Sequence, residues 1–480
     1  MKILLINPPP YDYGEYSRFL ERTPIQTYTM PLGLGYIASF LEREGYDVTI
    51  LDAYVKKLSY EQIGNFIREL NPDVIGIQCL SDQRASWFML VDLIRAVDNT
   101  IKIVLGGPHP SLMPEQVMTK CHPDAIIIGE GEETMLELVK AWEQGSDVSG
   151  VKGIAYQKDG EILFTQPRKR IKDLDILPLP AYHMVDINDY QGWGFLQQIF
   201  KTRGIKELPK YASISTSRGC FGNCGYCSSP LIWKRQWTQR SAKNVVDEIE
   251  MLNKRYGVEF IIMTDDVFSV NQKRVISICE EILRRNLQIL WGFETAVNLI
   301  SYDLLNLAKK AGCFCILYGV ESGSATILAN ISKRIKEEDV VNAFKMTKDA
   351  GIVAGAFLMI GNPGENEKSV DATIELLRKI EPDIILPQIT MITPKTKIFD
   401  VAKEKSCIDE SYWLTDLPFP YYTCERNLKT LLRWYRKLFY YKHSKLGILL
   451  RTVRDYIEFS TGIRIDRDGL SKVEMPPAKI

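Results

Sequence analysis

The stretch Ser217-Arg218-Gly219-Cys220-Phe221-Gly222-Asn223-Cys224-Gly225-Tyr226-Cys227 puts three cysteines within eight residues. Its C-x3-C-x2-C spacing lets three thiolates converge on one metal cluster. Gly219, Gly222 and Gly225 disfavour a regular helix and let the backbone fold closely around such a cluster. A [4Fe-4S] cube has four irons, so three protein ligands leave one iron open to a substrate or cofactor. The competing readings fit the spacing less well. A structural zinc site wants a fourth Cys or His nearby, and none follows Cys227 closely. Disulfides pair an even set in an oxidising compartment, and a simple electron-transfer cluster is ordinarily closed by a fourth thiolate.

Working outward, short apolar runs alternate with helical patterns on both sides of this loop. Runs at 212–215, 260–264, 289–293, 314–319, 355–360 and 384–389 predict a partial (βα)6 barrel over residues 211–398. The active site of such a barrel lies at the carboxyl ends of its strands. There the sequence places Asp265-Asp266, Glu294-Thr295, Gly319-Val320-Glu321-Ser322-Gly323-Ser324, Gly361-Asn362-Pro363-Gly364-Glu365 and Pro394. Each of these alone also fits a helix cap or a turn. Their recurrence at strand ends, behind a cluster loop, points to function.

The first 145 residues repeat the alternation, with runs at 2–7, 47–51, 74–79, 101–105 and 125–128. Near-continuous apolar strands spaced by helices predict a flavodoxin-like, doubly wound parallel sheet of α/β class, with any ligand at the carboxyl ends. The loops there are Asn7-Pro8-Pro9-Pro10, Leu80-Ser81-Asp82-Gln83, Gly106-Gly107-Pro108-His109-Pro110 and Gly129-Glu130-Gly131-Glu132. They suit a backbone hugging a large flat ligand, and equally plain tight turns. Residues 146–210 read as a linker with a hairpin around Lys158-Asp159-Gly160 and an extended Leu177-Pro178-Leu179-Pro180. Residues 399–480 read as a mainly helical C-terminal domain.

Composition bounds the rest. A chain of 480 residues accommodates about three domains. Its 60 Lys and Arg balance 60 Asp and Glu, so no global charge argues for nucleic acid. The absence of an apolar run of membrane length and the strand-like start predict no transmembrane segment and no signal peptide. Ten cysteines without a secretion signal then imply a reducing cytoplasm. Cys79, Cys121, Cys279, Cys313, Cys315, Cys407 and Cys424 are scattered, and most read as small core residues. From Arg426 to Arg454 there are nine Lys or Arg residues and no Asp or Glu, interleaved with aromatics. This is either a lid or surface for an anionic or lipid-like substrate, or a basic helix pair packing its aromatics on the barrel.

The cysteine spacing with its glycines strongly resembles the radical S-adenosylmethionine (SAM) superfamily. With the strand-end motifs and the N-terminal loops, roughly residues 1–400 resemble the subgroup that carries an N-terminal cobalamin-binding domain, the class B methyltransferase and BchE-like group. The resemblance implies a [4Fe-4S] cluster on Cys220, Cys224 and Cys227, with SAM chelated at the open iron. It further implies cleavage of SAM to a 5′-deoxyadenosyl radical, and SAM contacts from Tyr226, Asp265, Glu294, Glu321, Ser322, Gly361 and Pro363. Cobalamin is expected at Asn7, Pro8, Pro9, Ser81, Gly106, Gly107, His109, Gly129, Glu130 and Gly131. A small-molecule substrate methylated at an unactivated carbon, and an external one-electron donor such as a flavodoxin or ferredoxin, complete the expectation. Alternatives are a radical SAM cyclase, oxidase or rearrangement enzyme with or without cobalamin, and a non-enzymatic iron–sulfur electron-transfer or sensor protein.

Two departures from the family pattern stand out. Relatives commonly have Glu-Thr-Arg-Val-Asp where this chain has Glu294-Thr295-Ala296-Val297-Asn298, and Pro-Gly-Thr where it has Pro394-Lys395-Thr396. None of His109, His122, His183 and His443 has Asp two places before it. The Asp-x-His-x-x-Gly cobalt-ligand motif is therefore missing, and bound cobalamin is expected base-off without a histidine ligand. His109 reads equally as a polar contact to that cofactor and as a turn residue.

Overall fold

The computed structural model describes residues 1–11, 29–191, 194–441, 463–466 and 469–472. Strands β1 (Lys2–Asn7), β2 (Asp47–Asp52), β3 (Val74–Gln78), β4 (Lys102–Gly106) and β5 (Ala125–Ile127) pair in parallel in the order β2-β1-β3-β4-β5. That is the flavodoxin order. In β1, Ile3, Leu4, Leu5 and Ile6 are all buried. Ile3 and Leu5 join the core on one face of the sheet, and Leu4 and Ile6 the core on the other. Coverage on both faces explains why the strand reads as an unbroken apolar run.

The hairpin expected in the linker belongs instead to this sheet. β6 (Ile154–Lys158) and β7 (Glu161–Phe164) extend it antiparallel beyond β5, giving seven strands. β5 has only three residues, and the hairpin covers the edge it would otherwise leave unpaired.

In the second half, β8 (Tyr211–Ile214) precedes a small antiparallel pair, β9 (Ser217–Arg218) and β10 (Thr238–Gln239), which brackets the cysteine loop. Then follow β11 (Phe260–Met263), β12 (Leu290–Thr295), β13 (Cys313–Glu321), β14 (Val353–Ile360) and β15 (Ile384–Ile389). These make a six-stranded parallel sheet in the order β15-β14-β13-β12-β11-β8, the partial barrel expected. The register slips between Gly319 and Glu321 at the end of β13, where Glu321 takes a left-handed φ of 63°.

Buried polar contacts join the halves. Arg240 Nη1 donates to the Tyr36 hydroxyl at 3.1 Å and pairs with Glu248, which also accepts from Tyr182 at 2.8 Å. Tyr190 donates to Asp52 Oδ2 at 2.9 Å. Fully buried Arg84 donates to the Thr415 and Leu417 carbonyls at 3.0 and 2.5 Å, fixing the N-terminal sheet to the C-terminal segment.

In that segment the helix Leu428–Phe439 buries Leu431, Trp434 and Leu438. Its cations meet acids on the helix Glu367–Ile380: Lys437 Nζ lies 2.6 Å from Asp371, and Arg433 pairs with Glu367. Over residues 426–441, then, the basic stretch packs its aromatics on the barrel. Residues 442–454 of the stretch lie outside the described residues. A two-stranded antiparallel pair, β16 (Ile463–Asp466) and β17 (Gly469–Lys472), stands in the region read as helical. The period-two alternation Ile463-Arg464-Ile465-Asp466 is a strand pattern that the helical reading passed over.

Candidate active site

The carboxyl ends of both sheets open on one cavity of about 380 Å³. Its N-terminal wall includes Leu5, Gly33, Gly76, Val104 and Gly106, and its barrel wall Ser217, Arg218, Thr264 and Asp266. The first wall is hollowed by missing side chains. A Cβ on Gly33 would meet nothing nearer than the Gln78 amide at 3.9 Å. Gly107 is a glycine for another reason: its φ of 109° is left-handed, and a Cβ would press on the Cys79 carbonyl at 3.1 Å.

Of the residues expected around cobalamin, Gly106, Gly107, Gly129, Glu130 and Gly131 line this cavity. Asn7, Pro8, Pro9, Ser81 and His109 are put to other use. Asn7 Nδ2 donates to Asp52 at 2.8 Å, Pro9 accepts from Ser86 at 2.5 Å, and Pro8 is buried. His109 is completely buried, with its ring between Trp87 and Trp413 and its Nδ1 2.8 Å from Ser81 Oγ. Burial, reinforced by the Arg84 charge, pushes its pKa down to about 3, so the ring is neutral. Glu130 lines the cavity but is already engaged: Arg218 Nη1 lies 2.9 Å from it, and Arg218 also holds Glu132 at 2.5 Å. Arg218 thus ties the N-terminal loop to the residue two places before Cys220.

The thiols of Cys220 and Cys224 converge: a Cβ on Gly222 would lie 3.2 and 3.9 Å from their sulfurs. The Gly222 amide donates to Cys220 Sγ at 3.3 Å. Burial, with the neighbouring Asp266 carboxylate and the other two thiols, pushes the Cys227 thiol up to about 12. Three crowded, half-buried sulfurs of this kind favour ionisation only when metal charge compensates them, and the donor set fits an iron–sulfur cluster.

Around the loop the barrel supplies charges. The Tyr226 hydroxyl donates to Glu321 Oε1 at 2.8 Å, and Lys333 Nζ meets the same oxygen at 3.1 Å. Burial works against the Lys333 ammonium, but Glu321 and the Cys224 and Cys220 thiols hold its pKa up. Sequence reasoning missed Lys333. Glu294, at the end of β12, feels the paired aspartates; burial first, then Asp266 and Asp265, push its pKa to about 7. Asp265 acts as a support, its carboxylate taking the Thr216 and Ser217 amides at 2.7 and 2.6 Å. Of the pair, Asp266 reaches the cavity. Ser322 hydrogen-bonds Thr373 at 3.3 Å, and Pro363 accepts from Asn330 at 2.9 Å. The Gly361 amide is capped by Glu365 at 2.5 Å. These three residues shape the β13 and β14 loops. Lys395, replacing the relatives' glycine, keeps a left-handed φ of 60° and pairs with Glu410 at 3.3 Å.

Residues 22–139 match the B12 binding domain family, and residues 214–377 the Radical SAM superfamily. An uncharacterized methyltransferase of Pyrococcus horikoshii is 32% identical over 416 residues, which are 86% of this chain and 85% of that protein. The chain belongs to the B12-binding radical SAM enzymes. It is also 32% identical, over 84% of its length and 72% of the relative, to the anaerobic magnesium-protoporphyrin IX monomethyl ester cyclase of Rubrivivax gelatinosus. The fold is that of the radical SAM methyltransferase TsrM from Kitasatospora setae, solved with cobalamin and a [4Fe-4S] cluster. The TM-score is 0.68 at 18% identity, covering 89% of this chain and 80% of that one.

As a B12-binding radical SAM enzyme, the protein uses a [4Fe-4S] cluster, SAM and cobalamin. Among the described residues no helix is long and apolar enough to cross a membrane. Five of the cysteines read as core residues (Cys79, Cys121, Cys279, Cys313 and Cys315) are buried. Cys407 is exposed and Cys424 half-buried, and their thiols adjoin one another in the C-terminal segment.

Proposed function

We propose that this enzyme is a cobalamin-dependent radical SAM methyltransferase of the cytoplasm, acting on an unactivated carbon of a small molecule. The observation that carries the reading is the one cavity whose wall runs from Gly33, Gly76 and Gly106 of the N-terminal sheet to Thr264 and Asp266 beside the cysteine loop. Two cofactor sites opening on one space can share one substrate. When bound, the cluster supplies one-electron cleavage of SAM, and cobalamin supplies methyl transfer.

In this reading Cys220, Cys224 and Cys227 hold the cluster. Tyr226, Glu321 and Lys333 surround SAM, with Asp266 facing the reacting space and Glu294 close to Asp266. The cobalamin contacts are Gly106, Gly107, Gly129, Glu130 and Gly131. A base-off cofactor without a histidine ligand is supported by His109, which lies buried outside the cavity wall between two tryptophans. The name of the Pyrococcus relative supports methyl transfer. The equal identity to the Rubrivivax cyclase supports a second reading, in which the same site closes a ring. The substrate is taken as a small molecule; the pairing of Arg433 and Lys437 with Glu367 and Asp371 removes the basic helix as a reason to call it anionic or lipid-like.

Anaerobic reconstitution with iron, sulfide and cobalamin, followed by desalting and Co(II) EPR, tests the reading. Retained cobalamin without nitrogen hyperfine splitting from a lower ligand is expected. Loss of cobalamin on desalting would sink the methyltransferase reading. Product analysis then separates the two activities: methyl transfer yields S-adenosylhomocysteine together with 5′-deoxyadenosine, and cyclisation yields 5′-deoxyadenosine alone.

A further inference from the structure

The outer side of the cysteine loop carries a pattern that neither cofactor site uses. From Arg218 to Val246 the chain contains no Asp or Glu. Phe221, next to Cys220, is 52% exposed, and Leu231 is 44% exposed. Lys234 and Arg235 stand in solvent on one flank, and Arg235 Nε reaches the Gly222 carbonyl at 3.4 Å. On the other flank Lys397 lies across Gly225, where an added Cβ would come within 3.2 Å of it. Its Nζ donates to Ser332 Oγ at 3.2 Å, and exposed Arg334 follows two residues on.

Among the described residues Lys234, Arg235, Arg334 and Lys397 have no carboxylate partner. This contrasts with Arg285, which bridges Asp247, Glu250 and Glu281. The chain as a whole is neutral, so the patch is local and does not follow from an excess of base. Two exposed apolar side chains on a loop flanked by four cations without carboxylate partners have the anatomy of a transient docking face, with an apolar centre and a charged rim. The half-buried cluster cysteines belong to the same loop that carries Phe221 and that Arg235 and Lys397 touch.

The geometry points to this face as the docking site of an acidic flavodoxin that reduces the cluster. The inference rests on the radical SAM reading of the cysteine loop. The complementary partner carries carboxylates around the apolar edge of its flavin, which Phe221 and Leu231 meet. The anionic reduced flavin gives up one electron and keeps its proton. The [4Fe-4S] cluster goes from the 2+ to the 1+ state, and no bond forms or breaks. The rim of cations speeds encounter and makes the rate salt-dependent.

The test is anaerobic stopped-flow reduction of the reconstituted holoenzyme by a reduced acidic flavodoxin, followed by cluster absorbance. The wild-type second-order rate is expected to fall about tenfold or more from low to high salt. Lys234→Glu combined with Arg334→Glu is expected to cost about tenfold at low salt and little at high salt. Iron content and the rate with dithionite should stay at wild-type values, since neither side chain bonds to the loop. A salt-independent wild-type rate, or a double variant reduced by flavodoxin as fast as wild type, overturns the proposal. So does a loss seen equally with dithionite. Formation of 5′-deoxyadenosine from SAM and dithionite keeps the two failures apart. Its absence in wild type sinks the radical SAM reading, and its presence with unaltered flavodoxin rates sinks the docking site alone.

Discussion

The two walls of the central cavity are built on opposite principles. On the N-terminal side the sheet offers Leu5, Gly76, Val104 and Gly106, so the site is made by shape and by the side chains that are absent. On the barrel side Arg218 and Asp266 line the space, Glu294 lies near enough to feel the Asp266 charge, and the Glu321–Lys333 pair stands beside the cysteine loop, so this side is made by charge. The difference suits what each must hold. A large, flat ligand gains from contact area. A small zwitterion beside a cluster gains from fixed charges in a water-poor space. It also means that the walls should fail independently.

The sharpest break comes at the cluster. Cys224→Ala leaves only two thiolates in the loop, and complete loss of 5′-deoxyadenosine formation is expected, with iron per chain falling towards zero. Cobalamin retention after desalting should be unchanged, because no cysteine of the loop lines the N-terminal wall. If cobalamin is lost as well, the walls are not independent.

Arg218 is where they touch. It is 13% exposed and grips Glu130 and Glu132, which are 5% and 4% exposed. Arg218→Met removes the fork and leaves buried Glu132 unpaired, while Glu130 keeps the Ile171 amide at 2.9 Å and Arg170 at 4.0 Å, a change that costs about 3 kcal/mol. Urea denaturation should show this loss, and Arg218→Lys should recover only part of it, since an ammonium cannot present two parallel donors. A cost below about 1 kcal/mol would mean that water already reaches the pair.

How much of this was readable beforehand follows from distance along the chain. Both sheets were legible because strands buried on two faces are unbroken apolar runs, as the Ile3-Leu4-Leu5-Ile6 core of β1 and Phe260–Met263 show. The cluster loop was legible because its ligands are local. Lys333 was not, because it finds Glu321 only through the slipped register at the end of β13. Arg218 was not, because its acids lie 86 and 88 residues earlier. Ser81 and His109 sat in a loop of the right kind but turned to each other, and no local pattern encodes that choice. Most of the scattered cysteines are the core residues the sequence suggested, but the contact between Cys407 and Cys424 was not legible, because only the folded C-terminal segment brings them together.

A smaller effect tests the shape-made wall. Gly33 lies in the first turn of the helix Leu32–Arg43, and its missing side chain opens on the cavity. Gly33→Phe fills that space without demanding an unusual backbone, and a helix position prefers phenylalanine to glycine. Cobalamin affinity should fall about tenfold or more, equivalent to about 1.4 kcal/mol. Denaturant stability and cluster content should hold. Unaltered cobalamin binding would place the cofactor elsewhere.

The smallest effect probes the charge-made wall. Burial and the Asp266 and Asp265 carboxylates raise the Glu294 pKa from 4.5 to about 7. The folded state therefore holds a proton that the unfolded chain releases. The stability tied to that proton is full below about pH 4.5 and is lost as pH rises to about 7. Because Glu294 is only half-buried, the change is of order 1 kcal/mol, below the full value implied by about 1.4 kcal/mol per pH unit. Glu365, also raised to about 7 by burial, titrates over the same range and is present in wild type and variant alike. Glu294→Gln should thus flatten, without abolishing, the fall in urea stability between pH 5 and pH 8, gaining on wild type most at the alkaline end. An unchanged slope would mean that Glu294 is solvated like an ordinary carboxylate, and that the barrel wall owes its charge to Arg218 and Asp266.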